Sequence, residues 1–252
     1  MIKIICGKTE KEASLSAANV MADVIKSNPS AVLGLATGSS PINMYKELIK
    51  MYNDGEISFK NVKSVNLDEY VGLSPEHNQS YAYFMNENLF KHIDINMANT
   101  NLPNGLAADP VEECKRYNGV IKSMGGVDIQ LLGIGNNGHI GFNEPNDHFF
   151  KTTILVELAE STIDANSRFF ASRDLVPTKA FSMGIGQIME AKKILLVAFG
   201  KGKADILEKA VFGPVTPAVP ASILQFFKGD VIICADEDAL SVIKEKHPDA
   251  LC

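Results

Sequence analysis

Short apolar runs alternate with helix-length amphipathic segments from one end of the 252-residue chain to the other, and this alternation constrains the fold more than any other feature. A strand that is apolar throughout needs cover on both faces, and helices lying between such strands supply it in a mostly parallel sheet. Apolar runs fall at residues 2–6, 32–36, 62–67, 127–134, 193–199 and 230–235. Thr9 with Glu12 reads as a capping box opening a helix whose apolar face carries Ala13, Ala17, Val20, Met21, Val24 and Ile25. Pro41 stands where a second helix starts, continued at helical spacing by Met44, Leu48 and Met51. Further helical segments are expected at 81–90, at 110–124 (opened by Pro110 and stopped by Gly125-Gly126) and at 203–211. The expectation is an α/β fold, a doubly wound, mostly parallel sheet with helices on both faces, forming a single domain over residues 1–252. Only residues 145–177 break the rhythm, and a lid over a site is expected there.

Charge and patterning narrow the partners. The net charge is −6 and no Lys/Arg run or basic-aromatic stripe occurs, which argues against nucleic acid. The longest apolar stretches, such as 194–199, fall far short of the roughly 20 residues that span a bilayer. The amino terminus turns polar at once, so no membrane segment or signal peptide is expected and a cytoplasmic location is the natural reading. The cysteines, Cys6, Cys114, Cys234 and Cys252, form no CxxC pair, so neither a metal site nor a disulfide framework is expected. Cys6 and Cys234 lie in apolar runs and read as buried thiols. Phe212, Phe226 and Phe227 read as core rather than as an interface.

Open parallel sheets bind ligands beyond the carboxyl ends of their strands, so the residues just after each apolar run carry the functional information. Thr37-Gly38-Ser39-Ser40-Pro41 comes after the second run. It pairs a glycine with hydroxyls and a helix start, the components of an anion cradle. It lacks the GK[ST] of a P-loop, and an ordinary strand-to-helix turn with Ser40 as N-cap is the alternative. Asp68-Glu69-Tyr70 comes after the third run. A carboxylate there is either a turn cap or a general base able to take a proton from a carbon beside a carbonyl. The densest cluster is Gly135-Asn136-Asn137-Gly138-His139, continuing to Gly141-Phe142-Asn143-Glu144-Pro145. It presents an imidazole with a carboxylate five residues on, at spacing unlike HExxH, so acid–base work is favoured over metal binding. Lys203, in the loop after residues 193–199, is either an exposed lysine or a cation for the same anion.

Taken together, the segments at 35–41, 66–73 and 133–145, extended by Ala165-Asn166-Ser167-Arg168-Phe169-Phe170 and Pro220-Ala221-Ser222, resemble the glucosamine-6-phosphate deaminase family over nearly the whole chain, in order. The resemblance implies a fold shared with 6-phosphogluconolactonases and ribose-5-phosphate isomerases. It also implies a cofactor-free conversion of glucosamine 6-phosphate and water to fructose 6-phosphate and ammonia. Carried over by position, Asp68 moves the proton between C2 and C1, and His139 opens the pyranose ring with Asn137 and Glu144 orienting it. Thr37, Gly38, Ser39, Ser40, Arg168 and Lys203 hold the phosphate. Many family members have aspartate where this chain has Asn137, which leaves Glu144 as the charged partner of the imidazole. Basic residues that serve an effector site in some members are missing from the stretch Thr152-Thr153-Ile154-Leu155-Val156-Glu157, so that regulation is expected to be absent. An arginine frequent before the Ala165 segment is Ile163 here, which keeps galactosamine 6-phosphate open as the substrate. A 6-phosphogluconolactonase would leave Asp68 without a task, and a non-catalytic sugar-phosphate sensor would not need Asp68, His139 and Glu144 together. The expected partner is a small sugar phosphate, and the expected assembly a monomer or small homo-oligomer.

Overall fold

A computed structural model describes residues 1–168 and 170–250. Phe169 of the Ala165–Phe170 motif and the fourth cysteine, Cys252, lie outside the described residues. In chain order the strands are β1 (Ile2–Gly7), β2 (Val32–Leu35), β3 (Lys63–Asn66), β4 (Asp68–Tyr70), β5 (Thr100–Asn101), β6 (Ile129–Gly133), β7 (Ile154–Glu157), β8 (Lys179–Ser182), β9 (Lys193–Ala198) and β10 (Asp230–Asp236). The helices are α1 (Glu10–Ser27), α2 (Ile42–Asn53), α3 (Tyr81–Asn88), α4 (Pro110–Ser123), α5 (Glu160–Ser167), α6 (Ile185–Ile188), α7 (Ala204–Phe212) and α8 (Ser241–Lys246). Seven strands form one sheet in the order β1-β10-β9-β6-β2-β3-β5, every ladder parallel. Every residue of β2, and every residue of β9 after Lys193, is buried, as strands covered on both faces must be.

A second, antiparallel sheet of order β4-β8-β7 sits at the carboxyl end of the first. The apolar run at 62–67 reads as one strand but is divided between the sheets at Leu67. Its N–H donates to Leu35 O of β2 at 3.2 Å, and its carbonyl accepts from Met183 N at 2.7 Å. Asp68 therefore begins a strand opposite Ser182 and caps no turn. The stretch 145–177 is built of β7, α5 and a 3-10 turn at Arg173–Leu175. It packs Leu158, Ile163 and Val176 onto Tyr70, Phe142 and Ala180 in an apolar cluster separate from the main core.

Helix ends obey local chemistry. Thr9 Oγ1 accepts from Glu12 N at 3.3 Å, and the return bond comes from Lys8 N to Glu12 Oε2 at 2.9 Å, one residue before the position a capping box uses. Asp109 caps α4 through the N–H groups of Val111 and Glu112. Three expectations are corrected. Cys6 is exposed because β1 is an edge strand, whereas Cys234, on the inner strand β10, is buried. Of Phe212, Phe226 and Phe227, Phe227 alone is core; Phe226 is 69% exposed and Phe212 stacks on His247 at the surface. Ser40 caps nothing, since Pro41 occupies the N-cap of α2 without a side-chain bond.

Candidate active site

Beyond the carboxyl ends of β2, β3, β6 and β9 lies a cavity of about 680 Å³, a size usual for small-molecule sites. Thr37, Gly38, Ser39, Ser40, Asp68, Asn137, His139, Arg168 and Lys203 all line it. Glu144 stands behind His139, its carboxylate oxygen 3.3 Å from the ring Nδ1. All ten candidate residues thus gather in one place, although the primary structure spreads them from 37 to 203.

The loop after β2 is held by its own helix. Tyr45, buried in α2, donates its hydroxyl to Ala36 O at 2.6 Å and so fixes the end of the strand. Gly38 then adopts φ +89°, open to residues without a side chain at little cost. Thr37, Gly38, Ser39 and Ser40 line the cavity just before α2 begins, a hydroxyl-bearing turn suited to an anion.

Asp68 is 6% exposed. Burial, then the neighbouring Glu69 carboxylate, pushes its carboxyl up to about 8. Glu69 points the other way, accepting from Tyr70 N, Tyr81 N and Ala82 N, each at 2.9 Å. Burial still lifts it to about 7 against those three donors. Glu69 thereby ties the start of α3 to β4 and brings Tyr81 into the cavity wall.

The loop after β6 is folded by its glycines. Gly138 takes φ +87° and Gly141 φ +57°. Gly135 N donates to His139 O at 2.9 Å, and a side chain on Gly135 would meet the imidazole at 2.3–2.5 Å, so only glycine leaves room for the ring. Asn143 donates to Ile140 O at 2.9 Å and Met183 O at 2.8 Å, pinning the loop to the end of β8. Asn137 Oδ1 accepts from His139 N at 3.2 Å while its amide donates to Glu144 Oε2 at 2.6 Å. Burial alone would raise the Glu144 carboxyl, but His139, Thr162 and Asn137 outweigh it and hold the group down at about 2. A carboxylate oxygen beside Nδ1 is placed to orient the imidazole.

Lys203 ends the 3-10 turn Lys201–Lys203 and reaches across to Asn136 Oδ1 at 2.6 Å. Burial, then the Arg168 guanidinium nearby, lowers its pKa. Two cations lining one cavity together with a hydroxyl-bearing loop suit it to an anion. The Gly200 N–H that opens this turn is gripped by both oxygens of Asp236, at 2.9 and 3.0 Å.

Three cavity residues carry no signal of their own in the primary structure. Tyr81 reads only as the start of a helix, Asn166 only as part of a motif, and Thr162 as an ordinary polar residue. Thr162 and Asn166 sit one helical turn apart on α5, and that i, i+4 spacing is the one clue available once the helix is known. Among the described residues, no group of three or more His, Cys, Asp or Glu is arranged to hold a metal ion. No described helix is long and apolar enough to cross a membrane.

The chain is similar to known proteins along nearly its whole length. Residues 8–233 match the family model for glucosamine-6-phosphate isomerases/6-phosphogluconolactonase. The chain is 56% identical over 236 residues to glucosamine-6-phosphate deaminase of Lachnoclostridium phytofermentans, covering 94% of this chain and 100% of that one. It is 55% identical over 243 residues to the enzyme of that name from Clostridium perfringens, covering 96% and 100%. The solved structure of a monomeric glucosamine-6-phosphate deaminase superposes with TM-score 0.92 at 45% identity, covering 95% of this chain and 99% of the other. The 6-phosphogluconolactonase of Trypanosoma brucei, at 15% identity and TM-score 0.74 over 98% and 99% of the two chains, shares the fold. The chain belongs to the glucosamine-6-phosphate isomerase/6-phosphogluconolactonase family.

Proposed function

We propose that this chain is a glucosamine-6-phosphate deaminase, converting glucosamine 6-phosphate and water into fructose 6-phosphate and ammonia. One observation carries the reading. A buried carboxyl with raised basicity, Asp68, shares a cavity with an imidazole–carboxylate pair and with two cations beside a hydroxyl-bearing turn. A proton on carbon next to a carbonyl is weakly acidic, and a carboxylate lifted to about 8 matches it better than an ordinary one. Relatives more than half identical over nearly the full length carry the same activity in their names.

In this reading Arg168, Lys203 and the turn from Thr37 to Ser40 hold the phosphate, which fixes the sugar with its anomeric end toward His139. His139 passes a proton to the ring oxygen as the pyranose opens, while Glu144 and Asn137 hold the ring in place. Asp68 removes the C2 proton, giving an enolamine, and returns the proton to C1. The resulting C2 imine takes up water and releases ammonia. Positioning and tuned proton transfer supply the rate enhancement.

Ile163, the residue that raised galactosamine 6-phosphate as an alternative, packs in the apolar cluster with Tyr70 and Val176 and gives no reason to expect that epimer. Residues 145–177, carrying Thr162, Asn166 and Arg168, act as the lid; the protein works as a monomer or small oligomer in the cytoplasm, without the effector site of some relatives. The test incubates the protein with glucosamine 6-phosphate and measures both products, with galactosamine 6-phosphate as a second substrate. Equimolar fructose 6-phosphate and ammonia support the reading; a folded protein that binds but turns over neither sugar refutes it.

A further inference from the structure

Glu144 is gripped from two directions. From its own loop, Asn137 donates to Oε2 at 2.6 Å. From α5, eighteen residues further along the chain, Thr162 donates its hydroxyl to Oε1 at 2.5 Å. The Thr162 side chain is buried and lines the cavity, so its hydroxyl does not exchange this bond freely for water. The azimuth of α5 is set independently one turn on, where Asn166 donates to the Tyr70 hydroxyl at 2.9 Å. Apolar packing of Ile163 holds the adjoining face of the helix. The charged residues of α5, Glu160 and Asp164, are turned to solvent and occupied by Arg173. Among the described side chains of α5, Thr162 is the one hydrogen-bonded to the imidazole–carboxylate pair.

We infer that Thr162 is a positioning residue for the reaction: its hydroxyl holds the Glu144 carboxylate against His139, so that the proton-transfer pair is complete only when α5 is seated. The inference rests on the deaminase reading above. The second carboxylate oxygen would otherwise be free to rotate toward cavity water, and with it the partner that orients the imidazole. A hydrogen bond to a charged group is among the stronger ones, and its loss at a reacting pair appears in the rate and not in the affinity for a phosphate held elsewhere.

The experiment compares Thr162→Val, Thr162→Ser and Thr162→Ala with the native enzyme, each also in a Glu144→Gln background, by steady-state kinetics on glucosamine 6-phosphate. Thermal melting confirms folding, and Thr162→Ala serves if the valine variant does not fold. Valine, or alanine in its stead, is expected to lower kcat roughly tenfold, the rate equivalent of one hydrogen bond to a charged group, with KM within about twofold. Serine, which keeps the hydroxyl, restores kcat. In the Glu144→Gln background the Thr162 substitutions have little further effect, because the group they act through is gone. Native kcat in the valine and alanine variants, a loss confined to KM, no rescue by serine, or full additivity with Glu144→Gln would each overturn the inference. An inactive native protein would instead sink the deaminase reading itself.

Discussion

Replacing Asp68 with asparagine should abolish turnover and stabilise the fold, because the same burial that makes the carboxyl a strong base also makes its ionised form expensive. The carboxyl is lifted from 3.8 to about 8 by burial and by Glu69. At about 1.4 kcal/mol per unit, the ionised form costs the fold at most about 5–6 kcal/mol. That full cost is reached only at pH above the folded value, and it sets the upper bound on the stability gap. Linkage sets the sign. The folded-state value lies above the unfolded one, so below pH ~4 the carboxyl is neutral in both states and costs nothing. The cost grows as pH rises from ~4 and levels off above the folded value of about 8. The asparagine variant should therefore melt above the native protein at pH 9, by up to about 10–20 °C, with most of that gap gone at pH 5. Thermal melting of both proteins at pH 5, 7 and 9 gives the gap directly. A gap independent of pH, or a variant less stable at pH 9, would refute the argument that Asp68 is held ionised at a cost. In parallel, kcat of the variant should fall by roughly 10²–10⁴, as loss of a general base requires, and native kcat/KM should climb with pH toward a plateau above about 8.

Gly135→Ala should lower kcat about 100-fold with little loss of melting temperature, since the new methyl occupies the place of the imidazole, which can swing into the cavity without disturbing the core. Native kcat in that variant would show that the ring position is not critical. Lys203→Met should raise KM for the sugar phosphate at least about tenfold and weaken inhibition by inorganic phosphate in parallel, with a smaller effect on kcat. Because burial and Arg168 already disfavour the charged form of Lys203, its removal should leave the fold at least as stable, which melting curves check.

Much of the architecture was legible in the chain because burial on two faces leaves an unbroken apolar run, and such runs marked six of the ten described strands (β1, β2, β3, β6, β9 and β10) within a residue or two, but not β4, β5, β7 or β8. The candidate site was legible because parallel sheets deliver the residues after each strand to one edge: Thr37, Asn137, His139 and Lys203 all obey this rule. Asp68 obeys it in sequence but not in structure. The apolar run before it does not reveal that the chain changes sheets at Leu67, since both sheets demand the same apolar residues. The edge position of β1, and hence the exposure of Cys6, is also invisible locally, because strand order is set by crossover connections between distant segments. Thr162 is the sharpest case. A threonine in a polar stretch has no intrinsic mark, and it becomes a partner of Glu144 only because α5 is seated by Asn166 on Tyr70 and by Ile163 in its apolar cluster. Periodicity thus determined the fold class, and strand-end chemistry picked out most of the candidate site residues. Tertiary packing alone decided which oxygen faces which donor, because those contacts join segments whose separation in the chain carries no pattern.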